Sequence, residues 1–166
     1  AKNVAEKIAA LVEKSKCKTL VTSCPASFDA FKNDYPAMNG VRVAHSSEFI
    51  AELIGQGKIK ASPKGAGKVF VLDSDYLKNY NDMRDAPRKL LKIAGVEIAE
   101  FGSNQEESYA CGEGAVVYDR LEPEIAAKLA ARVFEKADDP KSDVIAVSSP
   151  YTKHALASLG GGKLNV

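Results

Sequence analysis

The chain has 166 residues, 45% hydrophobic and 27% charged, with 23 Lys and Arg against 22 Asp and Glu for a formal charge of +1. That length supports one ordinary domain with its own core, and the composition excludes disorder as a description of the whole. The balanced charge removes the electrostatic basis for nucleic-acid binding, and apolar runs no longer than Val69 to Leu72 exclude a bilayer-spanning helix. Nothing resembles a signal peptide. Three widely spaced cysteines, Cys17, Cys24 and Cys111, argue against a disulfide framework and fit a reducing compartment, so a cytoplasmic location is expected.

Val4, Ile8, Leu11 and Val12 recur at helical spacing and predict an amphipathic helix over residues 2 to 14. Lys18 to Ser23 then reads as a short strand ending at Cys24-Pro25, where Pro25 suits the first position of a short helix carrying Phe28 and Phe31 and ending near Pro36. Val41 to Ala44 is a second strand. Ser46-Ser47-Glu48 offers the cap of a helix that Gly55 and Gly57 stop. After a Lys, Gly, Ser and Pro loop at 58 to 67, the continuous apolar run Val69 to Leu72 predicts a strand covered on both faces, with Asp73-Ser74-Asp75 at its end. Residues 85 to 94 form the next helix, with Asp85 as cap and Gly95 after it, and Val96 to Phe101 the next strand. A helix from Glu122 to about Ala137, a strand from Val144 to Ser148, a helix from Pro150 to Leu159 and a flexible tail at 159 to 166 complete the chain.

Alternating strands and helices imply an α/β fold, a parallel sheet with helices on both faces. Ligands in such sheets sit beyond the carboxyl ends of strands, here Cys24-Pro25, Asp73-Ser74-Asp75 and Ser148-Ser149-Pro150. Two of these ends look alike. TSCPASF at 22 to 28 and VSSPYTKH at 147 to 154 suggest an internal duplication in which Cys24 corresponds to Ser149 and Ser27 to Thr152.

The segments TSCPASFDAFKNDYP (22 to 36), SSEFIAEL (46 to 53), VLDSDYLKNYNDMRDAPRKLL (71 to 91) and NQEESYACGEG (104 to 114), followed by PEIAAKLA and VSSPYTKH, together carry a resemblance. The chain resembles the cysteine-rich CCG-domain family of iron-sulfur oxidoreductases, which includes iron-sulfur subunits of heterodisulfide reductase, glycolate oxidase and anaerobic glycerol-3-phosphate dehydrogenase. The resemblance covers residues 1 to 158, read as a single domain in which 1 to 60 is the end of a first module and 61 to 158 a second. It implies a multi-iron cluster held by one cysteine after a strand, a Cys-Cys-Gly, and a terminal CPxC. In this sequence the first position is Asp75, the pair reads Ala110-Cys111, and the terminal motif reads Ser149-Pro150-Tyr151-Thr152. The upstream CPxC, which in the family closes a preceding module, reads Cys24-Pro25-Ala26-Ser27. Hydroxyls are neither soft nor acidic enough to replace thiolates on iron. The residual cofactor-binding positions are therefore Cys24, Cys111 and Asp75, the vestigial ones Ser27, Ala110, Ser149 and Thr152, and no metal is expected in the isolated chain.

Each of these residues also has a plainer reading. Cys111, beside Gly112 and Gly114, is a residual redox or metal thiol or a small hydrophobe kept for packing. Cys24 is a thiolate favoured by a helix start or an inherited capping residue. Cys17 has no evident role. Asp73-x-Asp75 imitates the nucleophile motif of haloacid-dehalogenase-type phosphatases but lacks the accompanying acidic pair at a later strand end, since Asp138-Asp139 precede Pro140; the alternative is that Asp73 caps the following helix. His45 and His154 lack a partner at metal-ligand spacing. KGAGK at 64 to 68 precedes its strand and has no Ser or Thr after Lys68, unlike a phosphate loop.

The leading expectation is a degenerate CCG-type domain, its own cluster lost, serving as scaffold or docking part of an electron-transfer complex with iron-sulfur or flavin proteins as partners. The alternatives are a redox subunit in which Cys24 and Cys111 join ligands from elsewhere to hold a cluster, and a phosphatase-like or small-molecule-binding domain built on Asp73 and Asp75. A vacated site would leave Asp75 in need of partners, for which Ser149, Thr152 and the peptide groups beside Gly112 and Gly114 are the obvious donors.

Overall fold

The expected alternation is present in the computed structural model, which describes residues 2–63, 67–110, 112–113, 121–137 and 144–159. In chain order the elements are α1 (Lys2–Ser15), β1 (Thr19–Thr22), α2 (Pro25–Asp29), which runs on into a wide turn at Ala30–Asp34, β2 (Arg42–His45), and α3 (Ser46–Gly55). They continue with β3 (Lys68–Leu72), a second wide turn at Tyr76–Tyr80, α4 (Asp85–Ala94), β4 (Glu97–Glu100) and a short turn at Gln105–Glu107. The last are α5 (Pro123–Glu135), β5 (Val144–Val147) and α6 (Pro150–Leu159). Cys111, Gly114, Asp138-Asp139-Pro140, residues 64 to 66 of KGAGK and the tail from 160 lie outside the described residues.

The five strands among the described residues form two parallel sheets, where the sequence pattern suggests one. β1 pairs with β2, setting Thr22 opposite His45, and β3 lies between β4 and β5, with Val71 opposite both Glu100 and Ala146. The difference follows burial. Residues 69–72 of β3 are all buried, as a central parallel strand requires, whereas β1 and the first half of β2 are only half-buried or exposed and suit a smaller sheet. Helices contact the sheets on both faces. The main core joins Phe70 and Leu72 of β3, Ile145 of β5, Ala130 and Val133 of α5, Leu156 of α6 and Phe101, whose ring lies 5.0 Å from that of Phe70.

Several helix ends follow local chemistry, but Asp85 is not the cap of α4: it is the first helical residue, and Arg84 precedes it without a side-chain cap bond. Pro25 and Pro123 sit in the first turns of α2 and α5, where the missing N–H costs nothing. Gly95 ends α4 at φ +80°, and a Cβ there would lie 3.1 Å from the Pro63 side chain, so both backbone and space demand glycine. At α3 the cap is His45, not the serine pair. The last residue of β2 keeps an extended backbone, and its Nδ1 accepts from the Ser47 N–H at 3.3 Å.

Candidate functional site

β3 delivers Asp73, Ser74 and Asp75 to the carboxyl end of the larger sheet, and the three side chains take different tasks. Asp73 is 8% exposed and bonded through both oxygens to Arg88 of α4, at 2.6 and 2.9 Å, while Oδ2 also accepts from the Gln105 N–H at 2.9 Å. Arg88 turns its other edge to Glu100 of β4, at 2.7 and 2.8 Å. Hydrogen bonds to Asp73 and then Glu100 raise the Arg88 pKa further against the opposing effect of burial. Asp73 therefore does not cap the following turn; Ser74 does, its Oγ accepting from the Leu77 N–H at 3.3 Å. With both oxygens engaged, Asp73 is presented as an ion-pair partner, not as a nucleophile.

Asp75 pairs with buried Lys78, Nζ to Oδ1 3.2 Å, and Lys78 also donates to the Ser108 carbonyl at 2.9 Å. The Asp75 N–H donates to Glu113 Oε2 at 2.7 Å. Glu113 is 2% exposed and sits where the ends of β3 and β5 meet, with the hydroxyls of Ser149 and Ser74 beside its carboxylate. Burial, with a smaller contribution from the charge of Asp75, pushes its pKa up, and the hydrogen bonds from Ser149, Ser74 and the Asp75 peptide act in the other direction. Among the described residues the Asp75 carboxylate pairs with Lys78, and Ser149 turns to Glu113. Ser149 Oγ also accepts from the Thr152 N–H at 3.3 Å in the first turn of α6, while the buried Thr152 Oγ1 has no hydrogen-bond partner among the described residues. Ala110 is exposed.

The first strand-end turn also lies near Tyr76. Cys24 precedes α2 with a half-buried free thiol, its N–H bonded to Thr22 Oγ1 at 3.1 Å, and Ser27 is half-buried one helical turn on. Burial raises the Tyr76 pKa first, then the negative charges of Asp29 and Glu113, with Tyr80 and Cys24 adding to them. That places the Cys24 turn and Glu113 within electrostatic reach of one phenol. Asn81 ties the two regions together by donating to Asp29 at 2.8 Å and to the Tyr76 carbonyl at 3.0 Å. His45, 1% exposed, lies edge-on to Phe28, with the peptides of Ser23 and Ser148 beside its ring. Burial lowers its pKa and those peptides oppose the shift.

The residues that sequence reasoning missed are Arg88, Lys78 and Glu113. Arg88 and Lys78 are long cations, ordinarily read as solvated, and only the buried acids at the end of β3 give them partners. Glu113 stands 38 residues beyond Asp75, a separation that no periodicity links.

Among the described residues, the strand ends of this parallel α/β fold bring together oxygen donors and no complete set of cysteine ligands. Residues 71–156 match the CCG family model, the cysteine-rich domain, and the chain belongs to that family. It is 33% identical over 162 residues to the "Probable iron-sulfur-binding oxidoreductase FadF" of Bacillus subtilis, covering 96% of this chain and 22% of that protein. Over 135 residues it is 33% identical to the EtfAB:quinone oxidoreductase of Syntrophomonas wolfei, covering 80% of this chain and 18% of that one. Identity is 30% over 150 residues with one polypeptide of the dihydromethanophenazine:CoB--CoM heterodisulfide reductase of Methanosarcina mazei, covering 87% of this chain and 36% of that polypeptide. The chain thus spans from 18% to 36% of these relatives' lengths. No solved structure matches it.

The described residues do not fit an iron-sulfur cluster. Around Asp75 the ligand atoms on offer are the Glu113 carboxylate, whose Oε2 accepts from the Asp75 N–H, and the neighbouring hydroxyls of Ser74 and Ser149, hard oxygens where iron of a cluster takes thiolates. No group of three or more His, Cys, Asp or Glu among the described residues is arranged to hold a metal ion. No described helix is long and apolar enough to cross a membrane.

Proposed function

We propose that the chain is a degenerate CCG module whose own cluster has been lost and which acts as scaffold or docking part of an electron-transfer complex in the cytoplasm. The observation that carries this reading is the seat of Glu113. A buried carboxylate bonded to the Asp75 peptide and flanked by Ser74 and Ser149 stands beside Asp75 and Ser149, two positions to which the family resemblance assigns thiolates. Electron-transfer proteins are the natural partners, because the relatives named above are iron-sulfur-binding or quinone- and heterodisulfide-reducing proteins. In this reading residues 1 to 60 close a first module and 61 to 158 form the second, with Cys24 and Ser27 equivalent to Ser149 and Thr152. The placement of Ser23 and Ser148, equivalent under that duplication, on the same His45 ring supports it.

The test is iron and acid-labile sulfide analysis of the chain prepared anaerobically, alongside Asp75→Cys. Both should be colourless and free of stoichiometric iron, since one thiol leaves Ser149, Thr152 and Ala110 unable to ligate. Visible charge-transfer absorption with stoichiometric iron and sulfide in either protein would refute the loss of the cluster.

A further inference from the structure

A cavity of about 520 Å³ opens beyond the carboxyl ends of β3 and β5, between α3 and α4. Its size falls within the roughly 300–1,000 Å³ typical of small-molecule sites. Most of its wall is hydrocarbon, from Ile50 of α3, Leu90 and Leu91 of α4, and Val71 and Val147 of the sheet. The polar groups gather at one end, where the junction between β2 and α3 meets the junction between β5 and α6, because the Ser148 peptide lies beside the His45 ring.

Two features of that end point to a ligand. His45 lines the cavity at 1% exposure, and its Nε2 makes no hydrogen bond of ordinary geometry among the described residues, although the Ser23 and Ser148 carbonyls lie near enough to the ring to favour its charged form. Since Nδ1 accepts from the Ser47 N–H, the neutral ring carries its proton on Nε2, a buried donor that needs an acceptor. Lys153, in the first turn of ten-residue α6, also lines the cavity, is exposed, and makes no ion pair among the described residues. The positive end of the α6 dipole adds to its charge. The acid on this wall, Asp73, has both oxygens engaged by Arg88 and the Gln105 N–H, so it does not hold Lys153.

We propose that this cavity binds a small amphipathic carboxylate, its hydrocarbon body against Ile50, Leu90 and Leu91 and its carboxylate accepting from His45 Nε2 and pairing with Lys153. The site is distinct from the oxygen-filled turn around Glu113, with which it shares only Ser149, and it holds whether or not the chain carries a cluster. The hydrocarbon supplies affinity through burial and the two cationic or donor groups supply the choice of head group.

Octanoate and octanol, titrated into the whole chain by calorimetry and followed by saturation-transfer NMR, test the proposal. Octanoate should bind, and octanol about tenfold more weakly, the ratio that one desolvated charge contact of about 1.4 kcal/mol gives. Lys153→Glu should weaken octanoate by a similar factor or more and leave octanol unchanged. Ile50→Trp, which fills the cavity from a half-exposed position without touching the helix cap, should abolish binding of both while leaving the circular dichroism spectrum intact. His45→Phe tests the donor, and Ile50→Trp keeps the proposal falsifiable should loss of the α3 cap unfold that variant. The proposal is overturned by absence of octanoate binding, by equal affinity for octanol, or by binding that survives both Lys153→Glu and Ile50→Trp.

Discussion

Replacing Arg88 with Met should destabilise the fold by about 3 kcal/mol, the lower end of the roughly 3–5 kcal/mol lost when one member of a buried ion pair is removed. The magnitude follows from what each partner keeps. Met retains the packing of the arginine stem, so the loss is electrostatic. Asp73 is left buried with the Gln105 N–H still donating to it at 2.9 Å, which softens the penalty without removing it. Glu100 adds little, because its side chain is one-third exposed and water replaces the guanidinium there, worth about 1 kcal/mol at most. The converse change, Asp73→Ala, should cost only about 1–2 kcal/mol, since Arg88 still holds Glu100 and the Arg84 carbonyl. The double variant should then be more stable than the sum of the singles by about 2 kcal/mol, because no charge is stranded. Urea unfolding of the four proteins measures this. Arg88→Met within about 0.5 kcal/mol of the parent, the size of an ordinary surface change, would show that Asp73 is solvated and that the network does not brace β3 against α4.

The remaining predictions concern the two strand-end acids and the buried histidine. Glu113 has a folded pKa raised above its ordinary 4.5, so between that pH and the raised value the folded chain keeps a proton that the unfolded chain has released, and stability falls as pH rises through the window. His45 has a lowered pKa, so below its ordinary 6.5 the unfolded chain takes up a proton that the buried ring refuses, and stability falls as pH drops. Denaturant unfolding across pH 4 to 8 should show Glu113→Gln losing the first trend and keeping the second; parallel curves for parent and variant would contradict the assignment to Glu113. Asp75→Ala should cost about 1–3 kcal/mol, because buried Lys78 loses its carboxylate and keeps the Ser108 carbonyl. A neutral effect in the same unfolding assay would mean that Lys78 reaches water.

Element positions were largely legible because the determinants are local. The run Val69 to Leu72, the prolines at 25, 123 and 150 and the glycine at 95 act within a few residues of themselves, and the strands and helices they predict start or end within a residue or two of the observed ones. Sheet membership was not legible, since a strand's sequence records its burial and not its neighbour. His45 shows the same limit at finer scale: extending β2 by one residue turned a histidine without a predicted role into the cap of α3 and the wall of a cavity. The sequence marks Asp73-Ser74-Asp75 as a strand end, but the partners of the Asp73 carboxylate stand 15 and 32 residues away and the acceptor of the Asp75 N–H 38 residues away. Long-range polar pairing of that kind leaves no periodic trace in the chain.

The division of the strands into two sheets bears on how the molecule holds together over time. A two-stranded parallel sheet is marginal by itself, so β1 and β2 depend on α2, α3 and the Asn81 bridge to Asp29 for their persistence. The three-stranded sheet instead carries the aromatic and aliphatic core. Breathing of the first part need not disturb the second, because among the described residues no backbone ladder runs between them. The Cys24 turn therefore rides on the more labile half of the molecule and Glu113 on the more durable one, and a partner that gripped both would act as a clasp, lending the weaker sheet the lifetime of the stronger.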